Sequence, residues 1–442
     1  MYDSPRPFGP NQRPPFHRDD GPTPGSQAGP RPPFRSTGRP ENPVPYTPPN
    51  TTNWRTPWVH LRTWTYHPQL YPAMIRSASA DARPGSLVTV YDKEGRNFAS
   101  GLWNPKARVP LRMLYHGTDP FGEEQLTALL DRAIELRLDF LKLSAHSEAF
   151  RVIHSDADSL SGLIIDKFGD TLSVQIHSLG MAQRLPGWLP HLHARLGTKR
   201  CVIEVDPAIA RFEGINTGWL KSDEVRNVKF REHGLLYEVD FASGHKTGFF
   251  CDQRDNRYKL VEYCRDKRVL DVCCYTGGFA LAAKVLGGAK EVVGVDLDEG
   301  AIAQAKRNAN LNGQARIEWI HCDGFSYLRQ MRKNTERWDV VVLDPPKLVF
   351  GREEEEEEDG LIKYEDLNSL GIVVTAPGGL LVTCSCSGQL SAEDFERAVV
   401  KASHRVGRKL QFLERTGPGM DHPVMSNCPE SRYLKVLWAR VW

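Results

Sequence analysis

The chain has 442 residues, 40% of them hydrophobic and 25% charged, with a formal net charge of +2. That length allows two to four domains with sizeable cores. The near-neutral balance excludes a wholesale polycation, so any basic surface is local. No apolar run reaches the roughly 18 residues of a membrane-spanning helix, and the polar, proline-rich start lacks the apolar core of a signal peptide.

Nine cysteines without a CxxC pair argue against a disulfide framework and a structural zinc site. They read as small buried hydrophobes in a reducing, cytoplasmic setting, and no metal is expected.

Residues 1–56 hold about half of the 31 prolines and too little apolar surface to offset the entropy of ordering, so they are expected to form a disordered tail. From Trp58 to about Tyr115 short β segments follow one another, with SLVTVYD (Ser86–Asp92) and ASGLWNP separated by the turn in KEGRNF. This defines a small β module over 57–118. In the linker over 119–146, Glu123–Leu141 places Leu126, Leu129, Leu130, Ala133 and Ile134 at helical spacing. A central β-rich domain is expected over 147–234, with a hairpin turn at Gly169-Asp170.

From Leu235 to Trp442 the pattern becomes α/β. RVLDVCC (Arg268–Cys274), EVVGVDLD (Glu291–Asp298), WDVVVLDPP (Trp338–Pro346) and GGLLVTCSC (Gly378–Cys386) are nearly continuous apolar strands separated by helical stretches. This is the pattern of a parallel sheet covered on both faces, a Rossmann-like architecture.

Ligands of such sheets sit at the carboxyl ends of the strands. Asp271, Asp296, Asp323 and Asp344 stand at four successive strand ends, and Tyr275-Thr276-Gly277-Gly278 follows the first of them. Glycine permits close backbone approach, and an acid ending the second strand accepts hydrogen bonds from a ribose diol. Asp323 is placed to approach an adenine ring. Cys273 and Tyr275 occupy the places of the first two glycines of a GxGxxG fingerprint, and no GxxxxGK[ST] occurs. The expected ligand is therefore a nucleoside without phosphates, S-adenosylmethionine, rather than a dinucleotide.

Two motifs fall on the same sheet edge, Asp344-Pro345-Pro346-Lys347 and Ser385-Cys386-Ser387-Gly388. Two prolines stiffen the turn that carries the carboxylate. A thiolate adding to C6 of a pyrimidine makes C5 nucleophilic, while an acid assists at N3. On the residues alone, Cys386 reads equally as a buried strand-end thiol. Cys384 alternates with it along the strand and reads as core.

The segments GHKTGFFCDQRDNR (Gly244–Arg257), VLDVCCYTGGFA (Val269–Ala280), VDLDEGAIAQAKRNANLNG (Val295–Gly313), LDPPK (Leu343–Lys347), KYEDLN (Lys363–Asn368), SCSG (Ser385–Gly388) and DHPV followed by PE and YLK (Asp421–Lys435) together resemble the bacterial PUA-domain methyltransferases that make 5-methylcytosine in 23S ribosomal RNA. The likeness covers nearly everything after Trp58. It implies a PUA-like RNA-binding module at 57–118, a central domain and a C-terminal class I methyltransferase domain, with ribosomal RNA as partner. It implies Cys386 as nucleophile and Asp344 as base-contacting acid, with Lys347 completing the catalytic set, and Gln253 and Arg254 as donor contacts. The GHKTGFF segment is expected to fold over the donor.

The chain departs from that family in its long tail, in the module's entry HPQLYPAMI, and in the acidic run Glu353–Glu358, expected as a solvated loop. Two other readings are a methyltransferase acting on another base atom, such as guanine N7 or N2, with Cys386 structural, and an RNA-binding assembly factor without activity.

Overall fold

The computed structural model describes residues 49–241, 249–314, 316–349 and 354–442, the side chains of 354–357 excepted. The first sheet has the strands β1 (Trp58–Leu61), β2 (Gln69–Leu70), β3 (Ile75–Ala78), β4 (Ser86–Tyr91), β5 (Asn97–Trp103) and β6 (Leu111–His116), in the order β2-β6-β5-β4-β1-β3. Alternating side chains bury Val59, Leu61, Val88, Val90, Trp103, Leu111 and Met113 as its core. The expected tail ends earlier than 56. Trp54 stacks on Tyr91 with ring centroids 3.9 Å apart, and the Arg55 backbone N–H donates to the Tyr91 hydroxyl at 2.8 Å. Most of the tail, residues 1–48, lies outside the described residues.

Helix α1 (Glu123–Glu135) buries all five residues that the helical spacing singled out, and the chain leaves it through a wider turn at Leu136–Phe140. It packs on a second sheet of β7 (Ala149–His154), β8 (Leu163–Phe168), β9 (Thr171–Ile176) and, after α2 (Leu179–Leu196), β10 (Arg200–Glu204), in the order β10-β9-β8-β7. Gly169, with φ +54°, lies in the turn joining β8 to β9. Past α3 (Pro207–Glu213), β11 (Asn227–Glu232) and β12 (Leu235–Asp240) pair as an antiparallel hairpin. The boundary expected at Gly234 thus cuts through one hairpin. Asn308 and Asn312 side chains accept the Glu238 and Leu236 backbone N–H groups at 2.9 Å, tying it to the next domain.

After α4 (Arg254–Leu260) come β13 (Arg268–Val272), α5 (Gly278–Leu281), β14 (Glu291–Asp296), α6 (Glu299–Leu311), β15 (Glu318–His321), α7 (Gly324–Lys333), β16 (Trp338–Leu343), α8 (Glu354–Val374), β17 (Thr375–Ser385), α9 (Ala392–Arg405), β18 (Leu410–Thr416) and β19 (Lys435–Val441). The seven strands are ordered β15-β14-β13-β16-β17-β19-β18; β13–β17 run parallel, and β19 is antiparallel to both neighbours. Both faces are buried. Val269, Val340, Val342 and Val382 enter one core, and Leu270, Val272, Val341, Leu343 and Leu381 the other, which explains the unbroken apolar runs.

The backbone of residues 354–358 begins α8 rather than forming a loop; Glu353 lies outside the described residues. Leu361 and Tyr364 of α8 pack with Val349, Leu390 and Phe395, and this tertiary anchoring of its later turns supports a helix that starts within the run. Among the described residues no helix is long and apolar enough to cross a membrane.

Candidate active site

Strand order reverses between β13 and β16, and the crevice at their carboxyl ends is where a ligand fits. Asp271, fully buried, accepts the Ala280 backbone N–H through Oδ2 at 2.9 Å, while its Oδ1 is buried without a partner among the described residues. The chain beyond it turns sharply, with Cys273, Tyr275 and Gly277 at φ +61°, +48° and +83°. A Cβ on Gly277 would lie 2.4 Å from the Trp319 ring, so that position admits glycine for space as well as for conformation. Thr276 is buried and its carbonyl accepts from Asn308 at 3.1 Å; Gly278 begins α5. Asp296 at the end of β14 accepts the Tyr275 and Asp298 backbone N–H groups, one on each oxygen, both at 2.8 Å. Asp323 caps α7, accepting the Ser326 N–H and hydroxyl through Oδ2 at 2.8 Å, and among the described residues its contacts are those of an N-cap.

These carboxylates form a negative cleft. Burial, followed by the charges of Asp344 and Asp296, pushes the Asp271 carboxyl up to about 8. The Arg257 guanidinium, whose charge pulls the other way, forks onto Glu232 at 2.8 Å. A cationic ligand relieves this repulsion, whereas a pyrophosphate would add to it. S-adenosylmethionine, with a sulfonium and an ammonium, fits. Asp271 Oδ1 and the lone pairs left on Asp296 can each accept a hydrogen bond from an ammonium or hydroxyl donor.

Farther along the edge, Asp344 follows β16, and its Oδ1 accepts from Gln253 Nε2 at 3.1 Å. Gln253 is itself held by Asn256 (2.7 Å), whose amide also donates to the Gly417 carbonyl (2.9 Å) and whose oxygen accepts from Thr416 (2.7 Å). Burial, then the charge of Asp252, pushes the Asp344 carboxyl up to about 7, against hydrogen bonds from Gln253 and Cys384. Cys386 lies one residue past β17, with Sγ 3.9 Å from the Pro345 carbonyl oxygen. The structure therefore brings the two motifs together. Cys384 is fully buried and Cys386 half-buried. Lys347, in the turn after Asp344, is half-buried.

Arg254 is placed elsewhere. Its guanidinium is fully buried and pairs with both oxygens of Asp421 at 2.9 and 3.0 Å, while Nε donates to Asp255 at 3.1 Å. Asp421 also accepts the Arg151 backbone N–H, and its carbonyl accepts from Arg137, which forks onto Asp158. Arg254 thus joins the catalytic and central domains, where the sequence reading had it facing the donor. The residues 244–248 of the GHKTGFF segment, His245 and Lys246 among them, lie outside the described residues.

Three neighbours went unassigned in the sequence. Tyr364 bridges the Ser385 and Ser387 hydroxyls at 2.9 and 3.0 Å, Lys435 lies across from Ser385, and Asp252 accepts from the Tyr433 hydroxyl at 2.6 Å. All three belong to quoted motifs, so the available signal was their place in the pattern without a chemistry attached.

Residues 210–435 match the family model of S-adenosylmethionine-dependent methyltransferases, and residues 62–116 match a PUA-like domain. The chain is 33% identical over 379 residues to ribosomal RNA large subunit methyltransferase I of Cronobacter sakazakii, covering 84% of this chain and 94% of that one. It is 35% identical over 388 residues to the protein of that name from Tolumonas auensis, covering 85% and 95%. Among solved structures, one described as a SAM-dependent methyltransferase from Streptococcus mutans superposes with a TM-score of 0.70 at 20% identity, covering 86% of this chain and 100% of that one. Another methyltransferase structure, complexed with SAH, gives 0.69 at 21% identity, covering 80% and 91%. With its donor cleft and its PUA-like module, the chain belongs to the S-adenosylmethionine-dependent methyltransferase family, among the relatives named ribosomal RNA large subunit methyltransferase I.

Proposed function

We propose that this protein methylates C5 of a cytosine in large-subunit ribosomal RNA through a covalent adduct with Cys386. The observation that carries the reading is the juxtaposition of a half-buried thiol, 3.9 Å from the Pro345 carbonyl, with the adjoining Asp344 carboxyl raised to about 7. C5 of cytosine is too weak a nucleophile unless a group adds at C6, and methylation of an amine or hydroxyl needs no cysteine. The relatives' name supplies the RNA.

S-adenosylmethionine supplies an electrophilic methyl group when bound. Cys386 as thiolate forms a bond to C6, and the C5–C6 π pair moves to make C5 nucleophilic. Asp344, still carrying a proton near neutral pH, donates to N3 and holds the ring. Once C5 carries the methyl group, its proton leaves to a base, the C6–S bond breaks, and the double bond and the thiolate are restored.

The PUA-like module and the central domain are the proposed RNA platform. Trp64 and Tyr66 are exposed at 48% and 55%, edge to face at 4.5 Å, an arrangement suited to stacking unpaired bases.

The test is nucleoside mass spectrometry of ribosomal RNA from a strain lacking the protein, incubated with enzyme and a deuterated-methyl donor. Label in 5-methylcytidine is expected. Label in a guanosine derivative would overturn the C5 reading, and absence of label despite donor binding would favour an inactive assembly factor.

A further inference from the structure

Lys435 is 6% exposed. Its ammonium donates to the carbonyls of Ser387 at 2.6 Å and Tyr433 at 2.8 Å. Among the described residues no carboxylate lies within ion-pair distance of it. An ammonium taken out of water against two neutral carbonyls alone is costly, and such groups are ordinarily paired with an anion or lose their proton.

The register places Lys435 beside the strand end that carries Cys386. Lys435 faces Ser385 across the β17–β19 ladder, and its ammonium reaches forward to the Ser387 carbonyl. The ammonium is thereby held at the backbone carbonyl of the residue that follows Cys386. Burial depresses the Lys435 ammonium to about 8, and a negative charge placed on Cys386 raises it again.

We propose that Lys435 is the counter-ion of the Cys386 thiolate, a positioning residue that holds the nucleophile ionised before RNA arrives. The inference rests on the reading of Cys386 as the nucleophile.

Among the described residues, Asp344, Cys384 and Tyr364 do not replace this cation. Asp344, from the end of β16, is an acid whose ionised form opposes a thiolate. Cys384, from β17, is buried and its thiol is pushed well above its usual range. Tyr364, from α8, is a phenol held by Ser385 and Ser387, pushed up chiefly by burial. A cation beside a cysteine lowers the thiol from its usual value near 8.5 by a unit or more. The Ser387 and Tyr433 carbonyls then act as a clamp that prevents the flexible lysine stem from swinging away.

The test is the pH profile of Cys386 alkylation by iodoacetamide in the full-length protein, read by mass spectrometry of the Cys386 peptide. The wild-type inflection is expected at least about one unit below the free-thiol value near 8.5. Lys435→Met should return it to that value or above and slow alkylation at pH 7 about threefold, the gain in thiolate nucleophilicity offsetting part of the lost thiolate. Lys435→Arg should keep the depressed profile, and Lys435→Met should lower kcat with an unchanged KM for the donor.

A Lys435→Met profile superimposable on wild type would overturn the proposal. Should that variant not fold, Lys435→Gln takes its place, and a wild-type inflection at or above the free-thiol value overturns the proposal without any variant. A depressed profile in an enzyme that forms no covalent adduct with RNA would sink the nucleophile reading and leave the ion pair standing. An adduct formed by an enzyme with an undepressed profile would do the reverse.

Discussion

Asp296 holds Tyr275 in place: its Oδ2 accepts the Tyr275 backbone N–H at 2.8 Å, and Tyr275 has the left-handed φ of +48°. One carboxylate shapes the turn after β13 and, by our proposal, uses its remaining lone pairs at the end of β14 to bind the donor's ribose. Asp296→Ala should weaken S-adenosylmethionine binding by roughly 1.5–3 kcal/mol, the scale for losing a charged acceptor. Calorimetry showing wild-type affinity in that variant would remove Asp296 from the donor site.

Arg254 and Asp421 lead to the opposite expectation. Burial alone would raise the Asp421 carboxyl, but the His422 ring and the Arg254 guanidinium outweigh it and hold the carboxyl well below its usual range. Removing one partner of a buried pair leaves an uncompensated charge, so Arg254→Met should cost about 3–5 kcal/mol of stability. Donor affinity measured well below the melting temperature should change little. A loss of affinity with unaltered melting would restore Arg254 to the donor site.

Asp271 predicts a pH dependence. Its folded-state carboxyl is raised to about 8 and that of Asp344 to about 7, both above the unfolded value near 4. Across that window the folded protein binds more protons than the unfolded chain, so their contribution to stability is full below pH 4 and is lost as pH rises through 7 and 8. The ligand-free melting temperature should fall from pH 5 to 8.5 more steeply in wild type than in Asp271→Asn. Donor binding favours the ionised acid, so affinity should rise over the same range, with proton release visible as buffer-dependent calorimetric heats. A pH-independent affinity between 6 and 8.5 would contradict the role given to Asp271.

The exposed pair Trp64 and Tyr66 predicts a separation of RNA from donor binding. Replacing both with alanine should weaken binding of a ribosomal RNA fragment by about 1–3 kcal/mol per base stacked. Donor affinity should be unaffected, and RNA affinity should fall steeply with salt. Unchanged RNA affinity in the double variant would place the RNA on another face.

Local patterns were legible where one element decided the outcome. The spacing of Leu126, Leu129, Leu130, Ala133 and Ile134 announced α1, and the apolar runs ending in Asp271, Asp296 and Asp344 announced the parallel sheet. What was missed depended on partners far away in sequence. Arg254 looked like a ligand contact because Asp421 is 167 residues distant. Trp54 looked like part of a tail because Tyr91 is its platform. The acidic run looked like a loop because Leu361 and Tyr364 anchor the later turns of the helix it begins. Lys435 stood in a quoted motif, but its relation to Cys386 required the β17–β19 register.

Cys386 and Cys384, two residues apart on one strand end and differing in burial, provide the most direct measurement of the central claim. RNA carrying 5-fluorocytosine at the target cannot lose its C5 substituent as a proton, so the C6–S bond formed during methylation persists. Incubated with S-adenosylmethionine and this RNA, the wild-type enzyme is predicted to run as a denaturation-resistant protein–RNA adduct, as is Cys384→Ala, while Cys386→Ala gives none and does not methylate the unmodified RNA. Methylation at the wild-type rate by Cys386→Ala, or an adduct that survives that substitution, would contradict the account.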